Sequence, residues 1–131
     1  MPEPTVQQLF DLSGRVALIT GASGYLGSAM ARALAESGAA VVVSSRDEAT
    51  ARRVAQSLPS RPGLAHHGVA LDHMDEAGLE RGFRQALEKT GRIDILVNNG
   101  HEPQANDWTD VTGQQFSRQL LNATGYFQLA R

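Results

Sequence analysis

No cysteine occurs anywhere in the chain, which removes disulfides and thiolate metal sites at once. Basic charge is not in excess either: twelve Lys and Arg stand against fourteen Asp and Glu, a formal net charge of −2. A nucleic-acid surface or an anionic-membrane surface needs a basic stripe, so neither partner is expected. No apolar run approaches the ~20 residues that span a bilayer. The opening MPEPTVQQLFDLSGR is polar and acidic, without the basic-then-apolar order of a secretory signal. No internal repeat, low-complexity tract or linker divides the sequence. A single cytoplasmic domain is therefore expected. Its 131 residues are enough to bury about two-thirds of the surface that the unfolded chain exposes.

What is present is an alternation of short apolar runs and helical patterns. Val16–Thr20 is apolar and is followed at once by a glycine cluster. From Leu26 to Ser37, Leu26, Met30, Ala33 and Leu34 share one helix face, and Gly38 supplies a C-terminal stop. Val41–Val43, three β-branched residues in succession, suits a strand covered on both faces. A helix follows from about Glu48 to Leu58, then a loop marked by Pro59 and Pro62. A third strand is predicted at Gly68–Leu71. The helix after it, about Glu76 to Lys89, has Leu79, Phe83, Ala86 and Leu87 on one side. A fourth strand covers Ile93–Val97. A polar loop at 101–110 then leads to a last helix at about Thr112 to Arg131. Residues 1–13 read as an N-terminal extension. Strands alternating with helices of this length imply an α/β fold with right-handed crossovers and a parallel sheet.

Ligands of such sheets bind at the carboxyl ends of the strands, near the point where strand order reverses. The chain has its most distinctive residues there. In Thr20-Gly-Ala-Ser-Gly-Tyr-Leu-Gly27, Gly21 permits a sharp turn out of the strand and Gly24 a close approach of a pyrophosphate. Gly27 permits close packing of helix on sheet. The free N–H groups at the start of the following helix suit an anion. At the end of the second strand come Ser45 and Arg46, and at the end of the third Leu71 and Asp72. The fourth ends in Asn98-Asn99-Gly100-His101.

Taken with the glycine loop, these residues resemble the short-chain dehydrogenase/reductase family, standard branch. The resemblance implies a Rossmann-type sheet, four of whose strands lie in this chain in the order 3-2-1-4. It also implies a nicotinamide dinucleotide cofactor. Ser23, Tyr25 and Leu26 would join Gly21, Gly24 and Gly27 around its phosphates, and Leu71 and Asp72 would meet the adenine. Asn98, Asn99 and Gly100 would line the trough and tie the sheet together. Asp72 also reads as a cap for the next helix, a role for which Asp75 competes. Ser45 takes the place of the acidic residue that holds a ribose 2′-hydroxyl, and Arg46 follows it. This pair favours NADP, with NAD possible. The plainer alternative is a solvated Arg46 near Asp47 and Glu48.

Three departures accompany the resemblance. Tyr25 stands where the standard branch has a glycine, and the Gly21, Gly24, Gly27 spacing also fits the extended branch of sugar-nucleotide enzymes. Gly100 and His101 replace an alanine and a glycine, and His101 reads as a loop histidine or as a substrate contact. His66, His67, His73 and Asp72 could be taken for a metal cluster. Adjacent residues of a strand point to opposite faces, so no metal is assigned.

In the last predicted helix, Asn122-Ala-Thr-Gly125 resembles the family segment whose asparagine helps catalysis by holding a water through its backbone. Asn122 is the one catalytic candidate. The family's Tyr-x-x-x-Lys pair is not here: Ala29 follows Tyr25 by four residues and Ala130 follows Tyr126. The expectation is the cofactor-binding part of an NADP(H)-dependent carbonyl/alcohol oxidoreductase, inactive in isolation, with the catalytic C-terminal half absent. The alternative is a non-catalytic nucleotide-binding module. In either case the fourth strand would be a bare sheet edge, and a homo-oligomer or a partner completing the sheet is expected. The phrase from Leu9 to Leu18 is similar to sugar-acid and 3-oxoacyl reductases, a weak pointer to substrate.

Overall fold

A computed structural model describes all residues, Met1–Arg131. A short helix, α1 (Val6–Leu9), breaks the N-terminal extension and is closed by a capping box between Thr5 and Gln8. Then follow β1 (Val16–Ile19), α2 (Tyr25–Glu36), β2 (Ala40–Ser45), α3 (Glu48–Ser57) and β3 (His67–Ala70). α4 (Glu76–Thr90), β4 (Ile95–Val97) and α5 (Gly113–Ala130) complete the chain. A single 3-10 turn, Trp108–Asp110, interrupts the loop that the sequence presents as featureless.

All three strand pairings are parallel, in the order β3-β2-β1-β4. The pleat sends alternate residues to opposite faces, and each face has its own core. Ile19, Val41 and Val43 pack with Ala31 and Ala35 of α2 and Ala51 and Ala55 of α3. Leu18, Val42 and Val69 pack with Leu79 and Ala86 of α4 and Leu129 of α5. Small alanines on the first face let α2 and α3 lie close to the sheet. Because both faces are covered, Leu18, Ile19 and Val41 through Val43 are all fully buried, as the unbroken apolar run at Val41 implies.

Boundaries shift where local hydrogen bonding outweighs hydropathy. β2 extends to Ser45, since its polar end still pairs with β3 in register with Ala70. β4 starts at Ile95, not at Ile93, because Asp94 turns its side chain inward to accept from the Val16 N–H (2.8 Å). α2 ends at Glu36, with Gly38 beyond it at φ +99° in the left-handed region.

β1 to β2 to β3 runs outward on one side of β1, and β4 returns to the other side. The order therefore reverses between β1 and β4. β4 is a free edge, and its three residues are only half-buried. On the outer side of α5, Phe116, Leu120, Leu121 and Phe127 are each more than half exposed.

Candidate functional site

Beyond the carboxyl end of β1 the backbone leaves the sheet through Gly21, whose φ of +63° belongs to the left-handed region. A side chain there is excluded twice over. Besides the strain, a Cβ at 21 would stand 2.9 Å from the Gly100 Cα and 3.1 Å from the Asn99 carbonyl oxygen. The glycine loop and the end of β4 thus touch backbone to backbone.

Thr20 and Asn99 fasten that contact. The Asn99 and Gly100 N–H groups both donate to the Thr20 hydroxyl oxygen, at 3.0 and 2.9 Å. Asn99 donates through Nδ2 to the carbonyl oxygens of Thr20 (3.2 Å) and Gly21 (3.1 Å). Asn98 turns the other way and donates to the Tyr126 carbonyl oxygen of α5 at 3.3 Å, while its buried Oδ1 has no partner. Of the two asparagines, then, one binds β4 to the loop and the other binds β4 to α5. Gly27 allows α2 to approach: a Cβ there would overlap the Gly21 carbonyl oxygen and stand 2.7 Å from Asn99 Nδ2.

α3, α4 and α5 begin under the side chains of Asp47, Asp75 and Thr112, which accept from their first-turn N–H groups. α2 begins at Gly24, and no side chain caps it. Its first N–H groups therefore have no side-chain acceptor, and they stand at the positive end of the helix dipole.

Two cavities open along these strand ends. One, about 200 Å³, is walled by Gly21, Ser23, Gly24, His73, Gly100 and His101. The other, about 450 Å³, lies over Ala70, Asp72 and Gly82. Arg46 and Leu71 line both, so the two form one trough that passes over the ends of β1, β2 and β3. Ser45 belongs to the wall of the first cavity, and its hydroxyl accepts from the Asp47 N–H at 3.4 Å.

Arg46 has no ion-pair partner. Its acidic neighbours are committed elsewhere: Glu48 pairs with Arg52 at 2.5 Å, and Asp47 accepts from the Thr50 hydroxyl (2.6 Å) and N–H (2.8 Å). Those Thr50 hydrogen bonds hold the Asp47 carboxyl below its ordinary range, so it stays charged in its cap. Neither Asp47 nor Glu48 pairs with Arg46. Asp72 accepts from the Met74 N–H, while the cap of α4 falls to Asp75.

The predicted residues do not all gather in the trough. Tyr25 is 92% exposed and Leu26 67%, both on the outer side of α2, and neither lines a wall of the trough. Asn122 lies on the buried face of α5, its Oδ1 hydrogen-bonded to His73 Nε2. The histidines scatter as well. The His66 ring accepts from the Val41 N–H at one nitrogen and meets the Pro59 carbonyl oxygen with the other. His67 is in β3, where burial, and then the charges of Lys89 and His66, lower its pKa.

Two contributors have no motif of their own in the sequence. His73 is part of the trough wall, and its only local signal is its place one residue past Asp72. Glu102 is 8% exposed and also reaches the trough. Its Oε2 accepts from Arg118 Nε and Nη2 at 3.0 and 2.7 Å, and Gln119 donates to its carbonyl oxygen at 2.8 Å. This clamp holds the start of the loop at 101–110 against α5.

The sequence profile described as short chain dehydrogenase matches residues 15–131. The chain is 33% identical over 88 residues to a 3-oxoacyl-[acyl-carrier-protein] reductase of Aquifex aeolicus, covering 67% of this chain and 36% of that protein. It is 35% identical over 122 residues to L-fucose dehydrogenase of Rattus norvegicus, covering 91% of this chain and 43% of that one. Among solved structures, a short-chain type dehydrogenase/reductase from Mycobacterium marinum superposes with a TM-score of 0.82 at 32% identity. It covers 97% of this chain and 51% of that chain. A 3-ketoacyl-(acyl-carrier-protein) reductase from Brucella melitensis complexed with NADH gives 0.77 at 38% identity, covering 92% and 48%. A metagenomic short-chain oxidoreductase in complex with NADP gives 0.77 at 28%, covering 92% and 55%. The chain therefore spans less than half the length of these curated relatives and about half that of the solved structures.

Proposed function

The chain belongs to the short-chain dehydrogenase family, and from that premise we propose that it forms the NADP(H)-binding part of an oxidoreductase that interconverts a carbonyl and an alcohol. The observation that carries the cofactor assignment is Arg46, unpaired and lying where the two cavities meet. Ser45 beside it brings no carboxylate to repel a phosphate. A guanidinium can fork onto a 2′-phosphate through two parallel hydrogen bonds. The relatives of known structure include one described with NADH and one with NADP. It therefore falls to the local charge at the end of β2 to decide between them.

The residues present fit the group. The trough is long and polar, the α2 N-terminus is free of a side-chain cap, Gly21 makes the turn out of β1, and Gly24 leaves the backbone open to a pyrophosphate. Leu71 offers an apolar wall and Asp72 a polar one to the adenine end. Bound nicotinamide supplies or accepts the hydride. This chain's own residues hold and orient. Gly21, Ser23, Gly24 and the first turn of α2 fix the phosphates, and Asn99 keeps loop and β4 together beneath them. Asn122 is the catalytic helper, its backbone carbonyl holding a water near the reacting carbonyl. Tyr25 and Leu26 contribute through their main-chain N–H groups, which agrees with side chains turned to the outside.

Residues 1–131 alone are proposed to bind cofactor without turning over substrate. The bare β4 edge and the exposed apolar side of α5 favour a further strand and helix, or a second copy, covering them. A fluorescence titration with NADPH and NADH tests the assignment. Tighter binding of NADPH is expected, and Arg46→Gln should bring the two affinities together. Equal affinities in the unsubstituted chain would refute the NADP assignment.

A further inference from the structure

His73 follows Asp72 just past the carboxyl end of β3, and its ring touches three parts of the site. Nε2 is hydrogen-bonded to the Asn122 Oδ1 of α5. The ring stacks on Tyr126, one helical turn further along α5, with centroids 5.7 Å apart and planes 30° apart. Its Cε1–Nδ1 edge lies against Gly100: a Cβ built there would stand 2.7 Å from Cε1 and 2.8 Å from Nδ1. Carbon atoms in van der Waals contact keep about 3.5–4.0 Å. An alanine at 100 and the imidazole as placed therefore exclude each other. The main chain of His73 takes part too, since a Cβ at Gly125 would overlap its carbonyl oxygen. The turn after β3 is thus seated on α5 by both its backbone and its ring.

An amide oxygen can only accept, so Nε2 must carry a proton and donate it to Asn122 Oδ1. A buried amide oxygen without a donor is costly, and one with a fixed donor loses its rotamer freedom. From these contacts we propose that His73 is a positioning residue for Asn122, and that position 100 is glycine because this ring occupies the space of a methyl group. The proposal rests on the reading of Asn122 as the catalytic helper and deepens it. The ring sets how far α5 stands from the end of β4. It thereby sets where the Asn122 backbone lies relative to the trough, whose wall the ring shares with Gly100. The departure at Gly100 becomes one half of a matched pair.

The test combines a thermodynamic cycle with a spectroscopic readout, on the full chain with NADPH bound. Gly100→Ala is expected to lower the Tm by about 4–8 °C. In a His73→Ala background the same substitution should cost less than half as much. Nitrogen-15 spectra of the imidazole should report the proton on Nε2. His73→Leu should shift the Asn122 side-chain amide signals, while His73→Gln, which retains an N–H donor, should leave them near their original positions. An equal penalty for Gly100→Ala with and without His73, an Nε2 without a proton, or unmoved Asn122 signals in His73→Leu would each overturn the proposal. Asn122→Ala, assayed for NADPH-dependent carbonyl reduction in the natural protein, tests the reading underneath. If the rate survives while the cycle couples, the helper role falls and the His73 contact stands.

Discussion

Replacing Gly27 by alanine is expected to destabilise the chain even though it puts the best helix former inside a helix. On propensity alone, Ala for Gly in a helix interior stabilises by about 1 kcal/mol. Gly27, however, is the third residue of α2 and is buried against the turn that leaves β1. A Cβ there would overlap the Gly21 carbonyl oxygen and approach Asn99 Nδ2 to 2.7 Å and the Ala22 Cα to 2.8 Å. Two of the three neighbours are backbone, in a loop fixed by Thr20 and Asn99, so they cannot swing aside. Overpacking a rigid site costs about 1–3 kcal/mol, and here the upper part of that range applies. The net loss is about 1–2 kcal/mol, which for a chain of this size lowers the Tm by about 4–8 °C. The substitution would also push α2 away from the trough and weaken binding of a nicotinamide dinucleotide, about tenfold for each 1.4 kcal/mol lost. Gly113→Ala is the matched control, since its Cβ would meet nothing within 4 Å. It is expected to leave the Tm unchanged or raise it. Far-UV circular dichroism melts of both variants decide the matter. A Gly27→Ala chain as stable as the original would refute the packing argument.

Other outcomes follow from the same contacts. Arg118→Ala leaves the covered Glu102 carboxylate without its two donors and should cost about 1–2 kcal/mol, allowing for the half-exposed guanidinium. Adding Glu102→Gln should recover part of that loss in a urea titration, whereas a further loss would count against a buried charge there. The Asp94 carboxyl is held below its ordinary range by Arg92 and the Val16 N–H. Its contribution is therefore complete above the unfolded value of about 3.9 and fades as pH falls through the folded one. Asp94→Asn should be less stable at neutral pH, with the gap closing below about pH 4. A constant gap would refute the linkage. The lowered pKa of His67 has the same sign, because the folded chain resists its protonation. His67→Gln should flatten the loss of stability below about pH 6.5, and an unchanged slope would contradict it.

The parts of the fold that could be read in the sequence are those where one physical demand acts alone. Val41–Val43 is buried from both sides, and β-branching with uniform hydropathy states that directly. Gly21 and Gly27 are fixed by backbone geometry and close approach, and both reasons reduce to the want of a Cβ. Tyr25 and Leu26 are different. Their backbone belongs to the helix N-terminus while their side chains point outward, and a motif does not distinguish main-chain from side-chain service. β4 begins two residues later than the pattern around Ile93 and Asp94 suggests. Asp94 instead serves as an acceptor for a neighbouring strand. The contacts of His73 and Glu102 have no signal in the sequence, since their partners lie 49 and 16 residues away.

The trough makes one use of glycine three times over, and that determines how the site tolerates change. Gly21 touches Gly100 and Asn99, Gly100 touches His73, and Gly125 touches the His73 backbone. Each absent Cβ is the space in which a neighbour stands, so the loop after β1, the end of β4, the turn after β3 and α5 form a continuous chain of contacts. In such a chain a methyl group added at one link is felt at the next, because close-packed neighbours have no free volume to absorb it. A departure from the family pattern should then be paired with a neighbour that stands in the space it frees. Gly100 with His73 is such a pair, and Gly100 alone, without the ring beside it, would leave a methyl-sized void at the floor of the trough.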